Sequence, residues 1–229
     1  MDDTRALVAT ASRVLGGCGH GDFIWGHASA RDIEGRGFWV KSAGQGLGEV
    51  RAETVHLVDP GGTVLTGDGS THSELAIHAE VYVARPDVGG VVHTHAPYAV
   101  ALAASAQPLR PVSHAATLFV PPDVPRFDST TDLILNAELG RQMAAALGSA
   151  RALFLVNHGM VTVGADLRSA TVAAVVLEQA CRQQLLTVAF GGDTRWTSDE
   201  EALVKRGHVY SERAVAAVWD HLVRRLDAT

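Results

Sequence analysis

Residues 85–95 read Arg85-Pro86-Asp87-Val88-Gly89-Gly90-Val91-Val92-His93-Thr94-His95. Pro86 and Asp87 close a helical pattern, because proline has no amide to carry the helix onward. From Gly90 the chain turns apolar and β-branched, the composition of a buried strand. Side chains alternate along a strand, so His93 and His95 share one face and both imidazoles can reach one metal ion. A second apolar run over residues 152–156 leads into Asn157-His158-Gly159 and then Met160-Val161-Thr162-Val163-Gly164. Strands of this kind, interleaved with helices and hairpins, predict an α/β fold layered around a mixed sheet.

Working outward, Thr71-x-x-Glu74 has the form of a capping box ahead of a helical pattern that runs to about Arg85. Leu7, Val8, Ala11, Val14 and Leu15 recur at helical spacing and stop at Gly16-Gly17. After a glycine-rich tract, Phe38-Trp39-Val40-Lys41, Val55-His56-Leu57-Val58 and Thr63-Val64-Leu65 read as short strands, with Asp59-Pro60-Gly61-Gly62 as a turn between the last two. Further helices are expected over residues 97–106, 131–147 and 166–189, and Ser198-x-x-Glu201 caps a last helical region. No repeat or linker divides the chain, so residues 1–229 are expected to form one domain.

Composition narrows the function. Lys and Arg total 19 against 25 Asp and Glu, a formal net charge of −6. A polyanion needs a clustered basic surface, and none is present, so nucleic acid is not an expected partner. Cys18 and Cys181 stand outside any C-x-x-C pattern and read as free thiols in a reducing compartment. The N-terminus, Met1-Asp2-Asp3, is acidic, and the most apolar stretch, residues 170–177, is closed by Glu178 and Arg182. Neither a leader nor a membrane span is read there, which makes a cytoplasmic protein the expectation.

There are 11 histidines against 3 tyrosines and 6 phenylalanines. Histidine ligates metals and moves protons near neutral pH. His158 follows a buried strand and precedes a glycine, so it sits at a strand end where side chains converge. Three imidazoles with an open fourth position make a catalytic zinc-type site, although an isolated H-x-H pair also suits two structural histidines. Glu74 has two open readings: the third residue of the capping box, or a carboxylate beside the metal that moves a proton.

Gly26-His27-Ala28-Ser29-Ala30-Arg31, Ser73-Glu74 followed by His78, Arg85-Pro86-Asp87 leading to His93-Thr94-His95, and Asn157-His158-Gly159 before Gly164 and Glu178 occur in order between about Leu7 and Leu186. This set resembles the class II aldolase/adducin family. The resemblance implies α/β/α layers around a largely antiparallel central sheet and a homotetramer with active sites at subunit interfaces. It implies one divalent metal ion (Zn, Mn, Fe or Co) on His93, His95 and His158, with Glu74 as acid/base. A metal-bound enolate would then serve retro-aldol cleavage, epimerisation or decarboxylation.

Where sugar-phosphate aldolases of the family hold phosphate with amide and hydroxyl groups, this chain has His27, Ala43-Gly44 and His72-Ser73. A phosphorylated substrate is therefore not expected. His27, Lys41, Gly44, His72 and Ser73 are the expected substrate-binding residues, for a carboxylate or a phenolic oxygen. His114 aligns with a family tyrosine that donates a proton from the neighbouring subunit, and Tyr210 is a candidate to close the site. Gly44-x-Gly46-x-Gly48-Glu49, Ile77-His78-Ala79-Glu80-Val81-Tyr82 and Pro125-Arg126-Phe127 look like the decarboxylase branch, in the manner of dihydroxyphthalate decarboxylases. The expected activity is decarboxylation of a hydroxylated aromatic or hydroxy-dienoic carboxylic acid through a metal-bound enolate, reprotonated by Glu74 or His114. An aldolase or epimerase acting on a non-phosphorylated sugar-like substrate is the first alternative, and a non-enzymatic adducin-like scaffold the second. Gly44-Gln45-Gly46-Leu47-Gly48 lacks the G-x-G-x-x-G spacing of a dinucleotide site.

Overall fold

The strand pattern closes into one eight-stranded sheet in a computed structural model that describes residues 2–226. The strands are β1 (His27–Arg31), β2 (Phe38–Lys41), β3 (Val55–Val58), β4 (Val64–Thr66), β5 (Gly90–Thr94), β6 (Arg126–Phe127), β7 (Ala152–Leu155) and β8 (Gly159–Gly164). Their order is β4-β3-β2-β1-β5-β8-β7-β6, and every pairing is antiparallel except the short β6 with β7.

Period-two alternation sends neighbouring residues to opposite cores. Val92 of β5 and Ala28 of β1 pack under α1 (Asp2–Leu15), α3 (Pro97–Ala104), the long α6 (Leu167–Ala189) and α8 (Glu212–Leu226). Val91 faces the other way, into a core shared with α2 (Leu75–Ala84) and α5 (Ala137–Leu147). The remaining α-helices are the single-turn α4 (His114–Thr117) and α7 (Asp199–Val209), and two 3-10 turns, Leu47–Glu49 and Ala52–Thr54, lie between β2 and β3. Helices thus cover both faces of the sheet, the layering expected from the sequence. Each fully buried Leu, Ile, Val or Phe in these cores contributes about 1.5–3 kcal/mol.

The structure differs from the local expectations at four places. β1 lies inside the tract read only as glycine-rich. Gly16–His20 makes a π turn instead of a simple stop, with Gly19 at a left-handed φ of 85°. Residues 131–136 are not helical: Asn136 accepts from the Leu139 amide at 2.9 Å and starts α5 at Ala137. The capping box of Thr71 and Glu74 does not form either, since Glu74 is the N-cap of α2 and makes no side-chain cap bond. Ser198 does cap α7, accepting from the Glu201 amide.

The β1–β2 hairpin is tied by Asp32, 3% exposed. Its carboxylate accepts from Arg36 Nε at 2.8 Å, Arg36 Nη2 at 2.9 Å and the Trp39 indole at 2.9 Å. The Arg36 hydrogen bonds lead in lowering its pKa to about 2, against the opposing effect of burial. A folded-state pKa below the ordinary carboxylate value means stability that is present near neutrality and lost as pH falls from about 4 toward 2. Asp32→Asn is expected to cost about 1–2 kcal/mol at pH 7, allowing for screening at the partly exposed Arg36, and to flatten the decline below pH 4. Urea midpoints of both proteins across that pH range check this.

Candidate metal centre

The antiparallel register of β1 on β5 places His27 opposite His93, on the face that α2 covers. His95 follows one residue past β5. The β7–β8 hairpin then delivers His158, whose amide donates to the Leu155 carbonyl at 3.1 Å across a tight turn. Asn157 holds the left-handed φ of 56° in that turn, a conformation asparagine tolerates better than most residues. Gly159 is required for a steric reason: a Cβ there would lie 2.6 Å from the Thr94 carbonyl oxygen and 2.8 Å from His95 Cδ2. Without a side chain at 159, β8 can start directly against the imidazoles of His93 and His95.

Hydrogen bonds on the far sides of the rings set what the rings offer. His93 Nδ1 lies 3.0 Å from the Met160 carbonyl, which can only accept, so Nδ1 carries the proton. His95 Nδ1 lies 2.9 Å from Asp22 Oδ2, so it too is the donor. In the neutral tautomer that these bonds select, each ring leaves Nε2 unprotonated, and the two Nε2 atoms lie 3.1 Å apart. The buried Nε2 of His158 has no hydrogen-bond partner among the described residues. Ligating atoms of the three histidines gather within 4.8 Å of one another. Two lone pairs facing each other at this distance repel, and a cation held between them, a proton or a metal ion, reverses the sign. Two imidazole nitrogens bound at about 2.0–2.1 Å to one tetrahedral ion stand about 3.3 Å apart. The donor set therefore fits a divalent metal, with Asp22 and the Met160 carbonyl orienting its ligands from behind.

Glu74 stands beside this cluster at the start of α2, 6% exposed. Its Oε1 accepts from the Ile134 amide at 2.8 Å and lies 3.6 Å from His158 Nε2, while Oε2 lies 3.8 Å from His93 Nε2. Burial acts to raise its pKa, and the hydrogen bond from the Ile134 amide acts to lower it by stabilising the ionised form. The group is a buried side chain beside three imidazoles, and the capping-box reading of it is excluded because it makes no side-chain cap bond. Around it opens a cleft of about 430 Å³ lined by Asp22, Trp25, His95, Asn157 and His158 among others.

The remaining candidates divide. His27 and His72 join the cluster, their rings 4.5 Å apart and His27 5.1 Å from His93. His72 Nε2 donates to the Ser42 carbonyl at 3.2 Å, and burial first of all lowers its pKa to about 4. Lys41 is turned inward: Nζ donates to the carbonyls of Gln45 at 2.7 Å, Ile24 at 3.2 Å and Ser42 at 3.3 Å, and burial lowers its pKa to about 8. Its three protons thus anchor a loop and leave none for an anion. Ser73 is exposed beside Glu74, and Gly44 is an exposed turn residue with φ 78°. His114 and Tyr210 meet each other but not the metal centre. Tyr210 Oη donates to the His114 carbonyl at 3.1 Å, burial pushes that phenol up to about 12, and both line a separate cavity of about 430 Å³ with Gln183 and Lys205. Asp22 and the Ile134 amide are functional groups the sequence reading missed; both reach the site from irregular segments that carry no local motif.

The model of the class II aldolase and adducin N-terminal domain matches residues 6–185. The chain is 32% identical over 235 residues to a 3,4-dihydroxyphthalate decarboxylase from Terrabacter sp. (strain DBF63), covering 97% of this chain and 96% of that protein. It is 36% identical over 158 residues to a 4-hydroxy-3-prenylphenylpyruvate oxygenase/4-hydroxy-3-prenylbenzoate synthase from Streptomyces roseochromogenus subsp. oscitans, covering 68% of this chain but only 56% of that relative's length. Among solved structures, an L-fuculose 1-phosphate aldolase from Glaciozyma antarctica PI12 superposes with a TM-score of 0.86 at 26% identity, over 99% of this chain and 89% of that one. Sheet order, histidine placement and these matches agree, and the chain belongs to the class II aldolase and adducin family.

Proposed function

We propose that this protein is a metal-dependent carbon–carbon lyase that decarboxylates a hydroxylated aromatic or hydroxy-dienoic carboxylic acid. The observation that carries the reading is the convergence of ligating imidazole nitrogens from His93, His95 and His158 next to the buried carboxylate of Glu74. An adducin-like scaffold has no use for such a set, because unpaired buried acceptors destabilise a fold that never fills them. When bound, the metal supplies a Lewis acid for the negative charge that develops on substrate oxygens as the carbon–carbon bond breaks. Zn, Mn, Fe and Co all suit three imidazoles.

The chain's own residues do the rest. Asp22 and the Met160 carbonyl hold the His95 and His93 rings in register. Glu74, ionised and held by the Ile134 amide, is placed to accept a proton and return it to carbon. As CO2 leaves, the electron pair of the broken bond stays on the substrate carbon, and that carbon takes up one proton by way of Glu74. Kinship with a 3,4-dihydroxyphthalate decarboxylase along nearly the whole chain supports decarboxylation over aldol cleavage. So does the replacement of most of the family's hydroxyl and amide cradle for phosphate by His27, Ala43-Gly44 and His72. In this reading the protein is a homotetramer, and a neighbouring copy supplies His114 and Tyr210 to the cleft. Among the described residues no helix is long and apolar enough to cross a membrane.

Elemental analysis of protein purified without chelators is expected to find about one divalent metal per chain, lost in His93→Ala. Asp22→Asn, which removes the carboxylate behind His95, is expected to weaken metal affinity about 10–100-fold in a chelator competition. Glu74→Gln is expected to keep the metal and lower kcat on a decarboxylated dihydroxy acid by about 10²–10⁴-fold. An aldehyde fragment in place of CO2 would assign the protein to aldol cleavage instead.

A further inference from the structure

α2 and β1 meet through two matched stripes. Glu74 at the N-cap, His78 and Tyr82 are four residues apart and share one face of α2, while His27, Ser29 and Arg31 alternate onto one face of β1. Where the stripes cross, side chains form one continuous hydrogen-bonded chain. His27 Nδ1 lies 2.6 Å from His78 Nε2, and His78 Nδ1 lies 2.6 Å from Ser29 Oγ. Ser29 Oγ lies 2.8 Å from Tyr82 Oη, which lies 2.9 Å from the Ser29 carbonyl. All four residues are buried: His27 is 3% exposed, Ser29 and His78 0%, and Tyr82 6%. Burial of this kind favours the neutral imidazole over the imidazolium.

The far end of the chain fixes its direction. A carbonyl has no proton, so Tyr82 donates its single proton to the Ser29 carbonyl. The Tyr82 oxygen must then accept from Ser29, whose hydroxyl proton is thereby used. Ser29 in turn accepts from Nδ1–H of His78. A neutral imidazole carries one proton, so His78 Nε2 is bare and accepts from Nδ1–H of His27. Reversing any one link would set two donors or two acceptors against each other at hydrogen-bond distance. His27 is left with an unprotonated Nε2 at the edge of its ring away from His78. Ligating atoms of His27, Glu74 and His93 lie within 4.8 Å of one another.

We propose that His27 turns this bare nitrogen toward the Glu74 and His93 side of the cleft and accepts a hydrogen bond from a hydroxyl of the substrate. It is thus a specificity-determining residue, with His78, Ser29 and Tyr82 as the positioning residues that set its polarity. This replaces the sequence expectation of His27 as a donor to a carboxylate: an anionic oxygen at this place would meet a lone pair. His72 adds to the effect, because its donor is already committed to the Ser42 carbonyl. The inference rests on the proposed function for the class of substrate, but the polarity of the chain stands on the fold alone.

Ring-nitrogen NMR of the whole protein carrying isotope-labelled histidine reads the polarity directly, with and without metal. His27 and His78 are expected to be protonated at Nδ1, and Tyr82→Phe, which removes the donor to the carbonyl, to let the opposite tautomer appear. His27 protonated at Nε2 in the unmutated protein would overturn the proposal. Calorimetry of the metal-loaded protein with 3,4-dihydroxybenzoate and its two monomethyl ethers reads the acceptor role. One ether is expected to bind about tenfold or more weakly than the diol. His27→Gln, whose amide oxygen can still accept, is expected to keep that discrimination, and His27→Leu to lose it. Equal discrimination in His27→Leu would overturn the acceptor role. Failure of the diol to bind at all, with the Nδ1 tautomers intact, would overturn the hydroxylated-acid reading and leave the polarity standing.

Discussion

The candidate metal centre depends on two hydrogen bonds that point away from it. His93 gives its Nδ1 proton to the Met160 carbonyl and His95 gives its own to Asp22, and in each ring this empties the nitrogen that faces the cleft. If either proton moved to Nε2, a ligand would become a donor and the gathering of lone pairs would fail. The Met160 contact comes from β8, so the tautomer of His93 is set by the same strand pairing that builds the middle of the sheet. Fold and ligand chemistry are coupled at that point, and Gly159 lets the strand come close enough to make the coupling.

The face of the sheet under α2 extends the same logic. One stripe of the helix carries Glu74, His78 and Tyr82, and one stripe of β1 carries His27, Ser29 and Arg31. Arg31 holds the end of α2 through the carbonyls of Tyr82 and Arg85 at 2.8 and 2.9 Å, and its guanidinium lies 4.7 Å from the centroid of the Tyr82 ring. The helix is therefore fastened to the strand at its C-terminal end, which keeps Glu74 in place at the other. Buried polar groups cost stability when half satisfied, and here His78, Ser29 and Tyr82 are each completed by a neighbour in a line that stops at a backbone carbonyl.

Much of the site was legible in the sequence because its signals are short-range or periodic. His93 and His95 share a strand face by the two-residue repeat, and His158 is marked by an apolar run ending in a turn. The family resemblance supplied Glu74. Other residues were misread for a common reason. Lys41 reads as a substrate cation, yet in the fold its ammonium is enclosed by the carbonyls of a loop that has no pattern of its own. The segment before α5 reads as helix, yet the Ile134 amide is used by Glu74, sixty residues away in the chain.

The sequence by itself determined the layered α/β class, the alternation that sorts side chains between two cores, and the residue types able to hold a metal. These follow from backbone periodicity and side-chain chemistry, which act over a few residues. Only the tertiary structure decided which nitrogen of His93 and of His95 carries a proton, that Asp22 stands behind His95, and that His114 and Tyr210 line a different cavity from Glu74 within one chain. A tautomer is chosen by whichever acceptor lies against the ring, and these acceptors come from segments brought together by sheet pairing and packing.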